Sequence, residues 1–236
     1  MDSLATFFAG FDFRPLLVSL KTAGVAVVFV FALGILSAWC TLGASERAKG
    51  WLDSIFTLPM VLPPTVVGFF LLVLFGKSTP FGTWLIEHGV RLIFSWPATV
   101  IAAAVVSFPL MYRTVRGAFE QLDEDMLDAA RTLGFSEWRI FRKLMLPLSW
   151  SSVAAGTMLS FARALGEFGA TLFVAGNFPG VTQTMPIAVY FAWAGGDLAT
   201  AGVWVAIIVA LSFAVVFGIN AYTARLSRYK KGDILL

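Results

Sequence analysis

Arg163 and Glu167 stand four residues apart in an otherwise apolar stretch of this 236-residue chain, a spacing that places both on one helix face. On a helix starting at Trp150, Arg163 lies about 20 Å along the axis at 1.5 Å per residue. A charge at that depth in an apolar medium is costly unless paired or hydrated. Two kinds of chemistry are open to it. The guanidinium could face a pathway and attract an oxyanion, or it could pair with Glu167 and fix the end of the helix near a gate. The pair carries more weight, because a strong fixed cation would trap a dianion instead of passing it. Thr65, Ser107, Thr171, Asn177, Thr182, Gln183 and Thr184 could replace part of an anion's hydration shell without holding it tightly. Each alone is more often a helix-packing residue, and the Asn177–Thr184 stretch stands out for its irregular, Pro- and Gly-bearing context.

Covalent chemistry has little to work with. Cys40 and His88 are the sole residues of their types, so one chain cannot assemble a Cys/His zinc site, a His-based triad or an intrachain disulfide. The single Gly-Lys-Ser, Gly76 to Ser78, has Leu71 where a phosphate-binding loop needs its first glycine. No Gly-x-Ser-x-Gly or His-Glu-x-x-His occurs. The expectation is a chain that is not an enzyme and binds no cofactor of its own.

The elements that must position these residues follow from composition. Apolar residues make up 58% and charged residues 13%, about half the charge a soluble surface carries, and mean hydropathy is +0.83. Lipid is the solvent for most of this surface. Spans are expected over Thr22–Trp39, near Leu58–Phe75, Pro97–Tyr112, Trp150–Leu165 and Ala199–Tyr222. Pro59, Pro63 and Pro64 should break or kink the second span, and Pro109 should bend the end of the third. Between Gly166 and Asp197, glycine and proline recur too often for a full span. That stretch is expected as loop plus short helices, and Met185–Ala194 could lie flat or re-enter. Irregular backbone at such depth is tolerated only against protein or water. Most of the eight tryptophans fall near span ends, where interfacial belts form. The acids in MDSLATFFAGFDFRP argue against a cleavable signal.

Net charge is +3, and its placement speaks for membrane topology and not for nucleic acid. Ala44–Thr57, Arg113–Ser149 and Arg225–Leu236 hold 12 of the 17 Lys and Arg residues, against 3 on the opposite side. The positive-inside rule then puts these segments in the cytoplasm, with five crossings, the N-terminus outside and the C-terminus inside. The architecture is all-α integral membrane, a single domain over 1–236 with a cytoplasmic loop at 113–149.

That loop is RTVRGAFEQLDEDMLDAARTLGFSEWRIFRKLMLPLSW. Acidic residues come early and basic ones late, as a helix dipole favours. Asp123 can cap a first helix, Gly134 can end it in a left-handed conformation, and Ser136 can cap a second. Periodicity alone would allow a plain solvated hairpin.

The segment Asp128-Ala129-Ala130, three residues, Gly134, nine residues, then Leu144, Met145, Leu146 and Pro147 resembles the EAA loop of ABC importer permeases, with Asp128 where that family usually has Glu. LPMVLPPTVVGFFLL, SFPLMYRTVRGAFEQL and FARALGEFGATLFVAGNFPG resemble the molybdate branch of these permeases, with sulfate and tungstate permeases close by. The resemblance implies a type I importer fold whose coupling helix docks on a separate ATP-hydrolysing subunit. Asp128, Ala129, Ala130, Gly134, Leu144 and Pro147 would carry that contact. It further implies a second copy of the chain, two ATP-binding subunits holding ATP and magnesium, an external substrate-binding protein, and the bacterial inner membrane. The oxyanion pathway would run past Thr65, Ser107, Arg163, Glu167, Thr171, Asn177, Gln183 and Thr184. A secondary transporter or channel is the remaining alternative.

Overall fold

The computed structural model describes the backbone of residues 11–232 and their side chains except at 219, 220 and 222–232. The segment MDSLATFFAG and the side chains of Arg225, Arg228, Lys230 and Lys231 fall outside these. Every described element is a helix. Three are long and apolar enough to span a membrane alone: α1 (Arg14–Leu42), α5 (Trp96–Glu120) and α11 (Leu198–Gly232), the last over Leu198–Gly218. Two bent pairs bring the number of crossings to as many as five. They are α2 (Glu46–Val61) with α3 (Pro64–Phe75), and α7 (Glu137–Leu148) with α8 (Trp150–Leu165). The remaining helices are short: α4 (Pro80–Glu87), α6 (Glu124–Thr132), α9 (Gly169–Ala175) and α10 (Met185–Ala194).

The second expected span is therefore not one helix. α2 and α3 meet at 111°. Leu62 and Pro63 are both extended, with ψ of 142° and 136°, because each precedes a proline whose ring excludes the helical conformation. The helix before the bend, α2, was not expected, and α3 supplies only about 18 Å of rise. α5 runs two turns beyond the expected end at Tyr112, unbroken through Pro109. α8 occupies the expected residues, and α7 joins it at 74° through Ser149 after a π turn at Phe141–Met145.

α5 is the axis of the bundle and packs on α1, α8, α2 and α9. Small residues bring it close to its neighbours, as lipid-embedded helices require in the absence of a hydrophobic drive. Ala23, Ala26, Ala38 and Ala102 are fully buried. Met111 fits between Gly34 of α1 and Gly156 of α8. A Cβ at Gly34 would stand 2.6 Å from its Cγ, and one at Gly156 3.1 Å from its Sδ. α3 lies against α9 just as closely, since a Cβ at Gly68 would come within 2.8 Å of the Ala170 Cα.

Candidate functional site

The loop after α5 is built as its residues dictate. Asp123 caps α6 by accepting the Asp125 N–H at 2.9 Å. Gly134 ends it at φ +79°, donating to the Arg131 carbonyl at 2.9 Å, while Phe135 N–H reaches the Ala130 carbonyl at 3.1 Å. This is the paired closure that a left-handed glycine permits. Ser136 sits at the start of α7, but its hydroxyl makes no capping bond. Arg131 staples the hairpin, meeting Asp128 at 2.5 Å and Glu137 at 2.8 Å. The hydrogen bond from Arg131 holds the Glu137 carboxyl below its usual value.

The six expected coupling residues do not share one surface. Asp128, Ala129, Gly134 and Pro147 are exposed, and Leu144 is half-buried. Ala130 turns inward with Leu127, into a core of Tyr112, Phe119, Ile140 and Phe141. The two alanines are thus divided: Ala129 is free for close approach, and Ala130 seats α6 on its own bundle. Leu133 adds an outward apolar group, 77% exposed. A cavity of about 660 Å³ opens between this hairpin and the end of α1, lined among others by Trp39, Lys49, Glu120, Asp128 and Arg131.

Beside it is a polar cluster with no signal in the sequence. The Tyr112 hydroxyl donates to the Asp53 carboxylate and lies 3.3 Å from the Thr41 hydroxyl. Arg116 pairs with the same carboxylate of Asp53 and with Glu120 at 2.8 Å. Asp53 and Tyr112 are 59 residues apart, so no local pattern could unite them.

The two charges of the apolar stretch do meet. Arg163 Nη1 lies 2.8 Å from Glu167 Oε2, with the Glu167 side chain 2% and the Arg163 side chain 32% exposed. Glu167 Oε1 accepts the Ala170 N–H at 2.8 Å, so the carboxylate ties the end of α8 to the start of α9. Nearby, a Cβ at Gly169 would stand 3.3 Å from the Thr65 backbone nitrogen, which brings Thr65 to the same junction.

The other candidates disperse. Ser107 is fully buried in α5, donating to the Ala103 carbonyl at 2.7 Å. Thr171 is buried in α9. Thr182 braces the loop between α9 and α10 by accepting the Phe178 N–H at 3.0 Å. Asn177 Oδ1 and Thr184 Oγ1 are buried without a hydrogen bond among the described residues. Gln183 lines a separate cavity with Phe11, Thr200 and Trp204. Among the described residues, no three His, Cys, Asp or Glu side chains are grouped to hold a metal ion.

Residues 30–228 match the family described as binding-protein-dependent transport system inner membrane component. The putative molybdenum transport system permease protein YvgM of Bacillus subtilis is 47% identical over 211 residues, covering 88% of this chain and 92% of its own. The molybdenum transport system permease protein ModB of Escherichia coli K12 is 42% identical over 224 residues, covering 94% and 97%. Among solved structures, a bacterial ABC transporter that imports the acidic polysaccharide alginate superimposes with a TM-score of 0.73 at 18% identity, covering 95% of this chain and 83% of that one.

Proposed function

This chain belongs to the family of binding-protein-dependent transport system inner membrane components, and on that premise we propose that it is the membrane-spanning subunit of a molybdate importer. One observation supports the substrate: two relatives at 42% and 47% identity, aligned over nearly their whole length, bear the names of molybdenum transport system permease proteins. Two copies form one pathway in the bacterial inner membrane, with the N-terminus outside and the C-terminus in the cytoplasm. A loaded binding protein docks outside. Two separate subunits bind ATP and magnesium and supply the energy, and this chain catalyses no reaction itself.

The exposed face of α6 suits the motor contact. Asp128, Ala129, Leu133 and Gly134 project outward from a helix fixed at both ends. When the ATPase subunits close, they move α6 as a rigid body and with it α5, only three residues away, giving alternating access. Arg163 and Glu167 act as a structural pair at the α8–α9 corner. The pathway candidates are then the neutral groups, with Asn177 and Thr184 favoured because their oxygens are buried and unsatisfied.

The test is ATP hydrolysis by the reconstituted complex with binding protein loaded with molybdate, tungstate or sulfate. Molybdate is expected to stimulate. Stimulation by sulfate alone would replace the substrate, and uptake driven by an ion gradient without the ATPase would overturn the mechanism.

A further inference from the structure

We infer that Asp53, Tyr112 and Arg116 form a polar joint through which motion of the cytoplasmic loop reaches the bent α2–α3 pair. They would be positioning residues for energy coupling. The inference rests on the proposed ATP-driven transport and extends it to residues outside the loop.

The first argument is how α2 is held. None of its 16 residues is buried. With no buried residue of its own, α2 depends for its attachment on a few specific contacts. Apart from the ring of Phe56 against Phe108 and Tyr112, at 5.5 and 5.0 Å, the polar ties from α2 to α5 converge on the Asp53 carboxylate. Tyr112 is fully buried, and the Arg116 side chain is 17% exposed. Hydrogen bonds to a charged group in such a site are stronger than those on an open surface.

The second argument is where the joint sits. Arg116 bonds both Asp53 and Glu120. Glu120 is the last residue of α5, three before the Asp123 that caps α6. One guanidinium therefore stands between the loop and α2. Past the 111° bend, α3 rests on α9 at Gly68 and Ala170, with too little space for one added carbon. Displacement of α2 cannot be absorbed by sliding at that crossing. It is delivered to α9 and the irregular stretch beyond, where the unsatisfied Asn177 and Thr184 oxygens lie.

A charged joint is suited to this work because it has discrete alternative partners. Arg116 can shift between Glu120 and Asp53 while holding both helices, which a packed apolar contact cannot do.

The experiment uses the complete complex in proteoliposomes with molybdate-loaded binding protein. Molybdate carried per ATP hydrolysed is measured for wild type, Asp53→Asn, Tyr112→Phe and Asp53→Glu. The first two should carry several-fold less molybdate per ATP than wild type, and Asp53→Glu should recover most of it. Wild-type stoichiometry in Asp53→Asn or Tyr112→Phe would overturn the joint. In parallel, spin labels at the exposed Ile55 and Leu36, in a Cys40→Ser background, report the α2–α1 distance without disturbing the cluster. A distance that stays fixed between nucleotide-free and ATP-trapped states would overturn the inference even if the variants failed to assemble. If the wild-type complex shows no molybdate-stimulated hydrolysis, the functional reading has failed, which is a different result.

Discussion

The α2–α3 bend separates two helix contacts made of opposite materials. On one side, α2 meets α5 through a carboxylate, a phenol and a guanidinium beside the ring of Phe56, with no buried residue of its own. On the other, α3 meets α9 through Gly68 and Ala170, close enough that a Cβ at Gly68 would strike backbone. A glycine crossing has one good arrangement and fails steeply on either side of it. A salt-linked contact can exchange partners at moderate cost. Rigidity and adjustability are thus placed on the two arms of a single elbow, with the adjustable arm next to the loop.

The comparison can be broken most forcefully at the crossing. Gly68→Leu should give no folded complex, because Ala170 Cα, Ala170 O and Phe173 Cβ all lie within 3 Å of the new Cβ. Gly24→Leu, with nothing within 4 Å of its Cβ, is the control, and monodisperse yield after solubilisation is the measure. Next comes the corner that holds α9. Arg163→Ala leaves a carboxylate that is 2% exposed without its cation, at a cost of about 3 kcal/mol. The expected outcome is failed assembly. Normal assembly with altered ion selectivity would instead make Arg163 a pathway residue. A smaller effect is expected at the loop, where Gly134→Ala forces a side chain into φ +79°. The loss should be about 1 kcal/mol, read as a lower melting temperature and weaker capture of the ATPase subunit.

The smallest effect sharpens the comparison at its charged end. The Glu137 carboxyl is held low by Arg131. Its stabilising contribution is therefore fully present above the ordinary carboxylate value of about 4.3 and is lost as pH falls through the lowered value. Both side chains are about half exposed, so the contribution is below about 1 kcal/mol. Glu137→Gln should flatten the acid limb of the melting temperature, and an unchanged profile would show that the staple is energetically idle.

What was legible in the sequence was local. Pro63 and Pro64 announced the bend through the restriction each imposes on its predecessor, and Trp150–Leu165 was bounded by its own hydropathy. Asp123 and Gly134 declared the two ends of α6. The glycine- and proline-broken stretch after Gly166 resolved into α9 and α10 as its punctuation required. Contacts between distant segments were hidden. Nothing in Glu46–Thr57 says that Asp53 will face Tyr112, since the match exists only once α2 and α5 are side by side. The division of Ala129 from Ala130 was available in principle, because neighbours on a helix are turned about 100° apart, but which of them faces inward depends on where Phe119 and Ile140 lie. The Arg163–Glu167 pair lay between these cases. Its spacing was plain, while the third partner, the Ala170 amide, appears only because the chain turns at Gly166.

The central place of α5 bears on how the protein is made. In its most apolar window 61% of residues are buried, against 11% in α11. α11 emerges last and leans on few neighbours, since little of that window is buried in the bundle. α5 carries Arg113, Arg116 and Glu120 at its tail and a surface shaped for neighbours, so it is at ease in the bilayer only once α1 is beside it and α8 has followed. Biogenesis is then ordered by the sequence of emergence, with the most dependent helix inserted between an early host and a late one.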